Sequence, residues 1–263
     1  MRTSDFFDYF VLRRYLTEPW AFLRTRKQPP STPLIEVPLK NGDLVRMRTE
    51  THDRHVFHRV FARDQYRLDP VAPGSLDTVV DIGAHIGSFA LRAAPLARQV
   101  FSFEPTPDTF ELLSGNVSKH PNVKPFQFAV AGKTGTMTLH LGVSPDRNTL
   151  FLKDERQKGS VEVRTTTLEE IFRQNNITRC DLLKLDCEGA EYDVLYNAPD
   201  DLWPKIRRTC LEYHYVEPAR DGWNGKDLAA FLTKKGHRVE LVAPTDKGHN
   251  LRKQQGYIFS ELA

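Results

Sequence analysis

Four titratable side chains stand at the ends of two apolar runs. Cys180-Asp181-Leu182-Leu183-Lys184-Leu185-Asp186 closes on a carboxylate, with Glu188 two residues further on. Thr209-Cys210-Leu211-Glu212-Tyr213-His214 carries a carboxylate and an imidazole two residues apart, which places both on one face of a strand. His214 has the intrinsic pKa nearest neutrality, so it is the candidate general base, with Glu212 or Asp186 to orient it. Such a base suits a hydroxyl nucleophile that must shed its proton, a contribution of ~10²–10⁴-fold. Asp186, Glu212 and His214 would equally offer oxygen and nitrogen ligands to a divalent metal. The chain has no HxH or HExxH spacing, so the metal is the less favoured reading. Glu188 and Glu191 have a plainer reading as acids that favour a helix start. Lys184, inside an apolar run, is expected to pair with a carboxylate in a structural role.

A second constellation is Val79-Val80-Asp81-Ile82-Gly83-Ala84-His85-Ile86-Gly87-Ser88, a buried strand, a glycine turn and a helix start. Glycines there are expected to let the backbone approach a nucleotide-like ligand that side chains would block. A dinucleotide fingerprint needs glycine where this chain has His85 and Ser88. Asp-x-Gly-x-x-x-Gly is instead the pattern expected for S-adenosylmethionine (SAM), which has no pyrophosphate. Val100-Phe101-Ser102-Phe103-Glu104 reads as the next strand, and a carboxylate at its end can accept both hydroxyls of a ribose.

These residues need a scaffold. The 263 residues, 40% hydrophobic, suffice for one substantial α/β core with an N-terminal extension. Strand and helix patterns alternate from residue 77 to the end, which argues a doubly wound, Rossmann-like parallel sheet. In that sequence Val123 to Val130 reads as one strand, and Thr136–Leu141 and Val161–Thr165 as an exposed pair. The polar stretch 142–160 between them reads as a lid or substrate loop. Ile35 to Arg48 reads as a hairpin around Asn41-Gly42, followed by a helix with Val56, Val60 and Phe61 on one face. Ser4 to Leu23 reads as an aromatic-rich helix interrupted at Pro19, with a stiff linker at 29–33. Its apolar face is expected to pack on the body or on a second copy; the alternative is an interfacial membrane anchor. The division expected is 1–33 (helix and linker) and 34–263 (catalytic domain, with 34–76 the hairpin and helix and 77–263 the core).

Charge narrows the partners. The net charge of +3 equals the excess in residues 1–30 alone, so the body is balanced, unlike a nucleic-acid enzyme with a basic face. No Asn-Pro-Pro-Tyr-like or Asp-Pro-Pro-Tyr-like run and no Pro-Cys dipeptide supports a nucleic-acid methyltransferase. A non-catalytic SAM-binding module would have no need of the acid and histidine cluster. Cys180, Cys187 and Cys210 form no CxxC pair and are expected to be buried free thiols of a reducing compartment. No apolar run reaches the ~18 residues of a membrane span and no leader-like segment is evident, so a cytoplasmic location is expected.

Taken together, Asp81-Ile82-Gly83-Ala84-His85-Ile86-Gly87, Phe103-Glu104-Pro105 with Asn116, Thr165-Thr166-Thr167-Leu168 and Leu183-Lys184-Leu185-Asp186-Cys187-Glu188-Gly189-Ala190-Glu191 resemble the FkbM-type SAM-dependent methyltransferases. His85 stands where that family often has Asn. The resemblance implies a seven-stranded class I methyltransferase sheet with its last strand antiparallel. It implies O-methylation of a hydroxyl on a saccharide, glycolipid or secondary metabolite. It also implies that Asp81, Gly83, Ala84 and Gly87 line the methionine side of SAM and that Glu104 and Pro105 stand at the ribose. Backbone at Ala129 and Val130 would edge the adenine, with Asp186 closing the cofactor site.

Overall fold

The computed structural model describes residues 3–26, 32–142, 148–151, 159–214, 216, 220–242 and 255–263. The chain opens with α1 (Thr3–Leu12) and α2 (Pro19–Arg24), then β1 (Leu34–Pro38), β2 (Leu44–Arg48) and α3 (Asp53–Ala62). The alternating part follows as β3 (Leu76–Ile82), α4 (Ser88–Ala93), β4 (Ala97–Phe103), α5 (Pro107–Asn116) and β5 (Val123–Phe126). Next come β6 (Ala129–Val130), β7 (Gly135–Leu141), β8 (Gly159–Thr166), α6 (Leu168–Gln174), β9 (Leu182–Leu185) and α7 (Glu191–Tyr196). A 3₁₀ turn at Asp200–Lys205, β10 (Arg208–Tyr213), α8 (Gly225–Lys234), β11 (His237–Val242) and β12 (Gly256–Leu262) complete it.

Seven strands form one sheet in the order β11-β12-β10-β9-β3-β4-β5. The pairs β10–β9, β9–β3, β3–β4 and β4–β5 are parallel, and β12 runs antiparallel to both β10 and β11. The expected doubly wound class I methyltransferase sheet with an antiparallel last strand is therefore present. Its central strands are apolar on both faces, as a sheet covered twice requires. Val79, Val100, Leu182 and Cys210 pack toward a core shared with α1 to α5. Their neighbours Val80, Phe101, Leu183 and Leu211 pack toward α6, α7 and α8. The first core also takes in Leu12, Leu16, Phe22, Val45 and Phe57, so the N-terminal elements pack on the same face as α4 and α5.

Sequence and structure part in four places. The run 123–130 is two strands: β5 stays in the large sheet, while β6 pairs with β8 in a separate three-stranded sheet with β7. The turn at Gln127-Phe128 lets the chain leave one sheet for the other, which apolar content alone does not show. The Ser4–Leu23 segment is interrupted at Pro19 as expected, where α2 starts, but α1 already stops at Leu12. The helix expected from Glu188 begins at Glu191, because Glu188 (φ 52°) and Gly189 (φ 99°) are left-handed. Cys180 and Cys210 are buried as expected, but Cys187 is half-buried. Most of the expected lid (143–147 and 152–158) and of the linker (29–31) lies outside the described residues.

Candidate active site

The strand order reverses direction between β3 and β9, and the crevice outside the carboxyl ends of strands at such a point is where α/β sheets hold ligands. The glycine turn follows β3 directly at this crevice. Gly83 (φ 74°) and Gly87 (φ 89°) are both left-handed. A Cβ at Gly83 would stand 1.8 Å from the Asp186 carbonyl oxygen, and one at Gly87 2.9 Å from the Leu113 side chain. The glycines are thus required by backbone conformation and by close contact with the ends of β9 and α5. That differs from the ligand-approach reason read from the sequence. His85 also has positive φ (53°), a conformation Asn and His tolerate better than branched residues.

Beneath the turn, Asp81 is fully buried, with Lys184 Nζ 3.0 Å from its Oδ1. Lys184 also donates to the carbonyls of Ile82 (3.1 Å) and Gly83 (2.6 Å). Burial pushes the Asp81 carboxyl up, opposed by Lys184. The expected structural pairing of Lys184 is present, and its partner is Asp81. Asp81 therefore meets Lys184 and Ser102 below the backbone that frames the crevice.

Glu104 stands at the end of β4, almost wholly buried. Its Oε2 accepts from the amide of His85 and its Oε1 from that of Thr106, both at 3.0 Å. One amide on each oxygen leaves a carboxylate free to accept two further donors, which is the requirement for gripping a diol. As an acceptor at this crevice, Glu104 fits an adenosine ribose. Pro105 follows Glu104, and Ala129 and Val130 are buried in β6.

Across the crevice, the segment after β9 and the start of α7 bring three carboxylates to the imidazole at the end of β10. His214 is buried, and its Nδ1 lies 3.0 Å from Glu191 Oε1. Its Nε2 faces Glu188 Oε1 at 3.5 Å and Asp186 Oδ1 at 3.8 Å. Glu191, at the first turn of α7, also accepts from the amides of Cys187 (2.9 Å) and Gly189 (3.0 Å). Burial lowers His214, but Glu188 and Glu191 outweigh it and hold the imidazole well above its usual pKa. Burial pushes Glu188 up to about 8 and Glu212 up to about 7. Asp186 is held below its ordinary value despite burial, by Lys184 and His214, and accepts from Tyr66 Oη at 2.6 Å.

Two expectations about this cluster change. Glu191, not Glu212 or Asp186, makes the hydrogen bond that orients His214. Glu212 is turned to Arg59, whose Nη2 lies 2.8 Å from Oε2, and to Tyr257 and Gln255. Among the described residues, the donors that come within 4.8 Å of one another are those of Asp186, Glu191 and His214 rather than a set including Glu212. That trio could hold a cation, although Glu191 already serves two amides.

Residues 81–239 match the methyltransferase FkbM domain family. This chain belongs to that family. It is 28% identical over 242 residues to the 31-O-demethyl-FK506 methyltransferase FkbM of Streptomyces tacrolimicus, covering 79% of this chain and 90% of that one. It is 29% identical over 167 residues to the hexuronic acid methyltransferase AglP of Haloferax volcanii, covering 63% and 65%. With the AMB antimetabolite synthetase AmbE of Pseudomonas aeruginosa it shares 24% identity over 285 residues, 91% of this chain but 13% of AmbE.

Sequence reasoning missed Tyr66, Arg59 and Tyr257, all outside the matched residues 81–239, and the orienting role of Glu191 within them. Tyr66 meets Asp186 across 120 positions and Arg59 meets Glu212 across 153. Glu191 alone carried a local signal, an acid three residues beyond Glu188 at the start of α7.

Proposed function

We propose that this chain is a SAM-dependent O-methyltransferase that acts on a hydroxyl of a saccharide, glycolipid or secondary metabolite. The observation that carries the reading is the buried Glu191–His214 pair at the carboxyl end of β10, whose Nε2 stands beside Asp186 and Glu188. When bound, SAM supplies a methyl group on a sulfonium, ready for in-line displacement. The chain's own contribution is then to position an acceptor hydroxyl and to take its proton. Glu104 grips the ribose, and the turn from Gly83 to Gly87 fixes the depth of the crevice. His214 Nε2 takes the hydroxyl proton as the oxygen attacks, and Glu191 stabilises the imidazolium. His214 must be neutral to do this. The positive charge of SAM, when bound, would oppose a second charge on the imidazole.

The relatives named for 31-O-demethyl-FK506 and for hexuronic acid support a hydroxyl as the target class. The test is methyl transfer to a panel of glycans, glycolipids and polyketides, with SAM binding followed by calorimetry. His214→Ala is expected to bind SAM as the parent does and to transfer ~10²–10⁴-fold more slowly. Unimpaired transfer by that variant would sink the base assignment. Activity abolished by a chelator and restored by a divalent cation would favour the metal reading of Asp186, Glu191 and His214.

A further inference from the structure

Helix α1 is inside out. Asp5 and Asp8 are 5% and 1% exposed, whereas Phe6, Phe7 and Phe10 are 50%, 59% and 57% exposed. The buried acids have partners that fix the helix in this orientation. Asp5 takes Arg26 at 2.7 Å, and Asp8 takes His58 of α3 at 2.9 Å and Arg63, just past its end, at 2.8 Å. Leu12 completes the inner face and is fully buried. Turning α1 over to hide the phenylalanines would break all three pairs and strand two carboxylates. The three rings lie within about 100° of arc on a helix of 3.6 residues per turn, so they form one outward stripe.

The rim of that stripe is basic. The Arg13 guanidinium lies 5.7 Å from the Phe10 ring and that of Arg63 5.7 Å from the Phe7 ring. Arg13 and Arg24 are exposed, as are Arg14 and Arg26, which pair with Asp69 and Asp5, and Glu18 is the exposed acid of residues 3–26. A second copy of this chain is a poor occupant, because a twofold contact sets the same arginines against one another. Aromatic rings ringed by arginine suit a surface that is apolar inside and anionic outside.

We infer that the Phe6–Phe7–Phe10 face of α1 docks on an anionic phospholipid bilayer, with the helix lying in the headgroup plane. Among the described residues no helix is long and apolar enough to cross a membrane. The contact is therefore peripheral, and it does not depend on the reaction proposed above.

The experiment is co-sedimentation of the full chain with phosphatidylcholine vesicles, with and without phosphatidylglycerol. Binding is expected only with phosphatidylglycerol present, and to weaken as salt is raised. The triple variant Phe6→Ser, Phe7→Ser, Phe10→Ser is expected to lose about tenfold or more in apparent affinity with an unchanged melting temperature. If that variant melts below the parent, Arg13→Glu with Arg24→Glu decides instead, since it leaves the rings in place and should lose binding equally. No pelleting with phosphatidylglycerol vesicles, or equal pelleting with neutral ones, would overturn the inference. So would a concentration-dependent doubling of mass that the triple variant abolishes while vesicles go unbound, which assigns the face to a second copy.

Discussion

At the scale of single residues, the site turns on how many negative charges His214 faces. Glu188 and Glu191 outweigh its burial and raise its pKa, so the free imidazole carries a proton where an isolated one would have lost it. If His214 is the base, kcat/KM rises with pH as that proton leaves. Glu191→Gln removes one charge, which lowers the His214 pKa and moves the rising limb toward lower pH. The limiting rate should fall as well, since the imidazolium formed in the reaction loses its partner. A pH profile of Glu191→Gln beside the parent checks this, and an unmoved limb would mean that His214 does not control the rate. The sequence showed His214 at a strand end but not its partner, because the left-handed pair Glu188-Gly189 folds Glu191 back toward β10. Tyr66 and Arg59 were invisible for a plainer reason, since their contacts join α3 and its following loop to strands more than a hundred residues away.

At the scale of elements, the unit β3–turn–α4–β4 was legible down to its residues. It is local, its strands are buried on both faces, and its glycines sit where φ must be positive. The small β6-β8-β7 sheet was half legible. The alternation in β7 and β8 shows their pairing, whereas the departure of β6 from the large sheet depends on a partner strand some 35 residues away. The buried Asp81–Lys184 pair links β3 to β9 and invites a direct test. Lys184→Met leaves Asp81 charged and unpaired in the core, which should cost ~3–5 kcal/mol of stability. Adding Asp81→Asn removes the stranded charge and should recover most of that loss. Denaturant titration of the single and double variants measures both, and a double variant no better than the single would show that the pair holds the turn by geometry alone.

At the scale of the whole molecule, Asp53 ties together elements far apart in the chain. Arg48 of β2 donates to both of its oxygens, and the His85 ring lies 3.2 Å from Oδ1. Arg48 also reaches Thr109 of α5. Burial works against the Asp53 charge, but His85 and Arg48 prevail and hold its pKa far below the ordinary carboxylate range. A depressed folded pKa stabilises the protein above the unfolded value of about 4, and that contribution fades as pH falls below it. Asp81, Glu104, Glu188 and Glu212 are shifted upward and act in the opposite sense, so a variant is needed to isolate Asp53. Asp53→Asn should lower the melting temperature at pH 7 and narrow its gap from the parent toward pH 3. A constant gap would remove Asp53 from the acid response.

The turn after β3 has a consequence for how such a protein can change. Lys184 holds its carbonyls, Phe103 accepts from the amides of Gly83 and Ala84, and Glu104 takes that of His85. The segment is thus fully constrained by the protein's own bonds, and its ordering cost is met during folding. On the proposed reading of this turn as a cofactor wall, affinity and fold integrity share one set of residues. Drift or engineering cannot loosen the crevice there without also weakening the sheet.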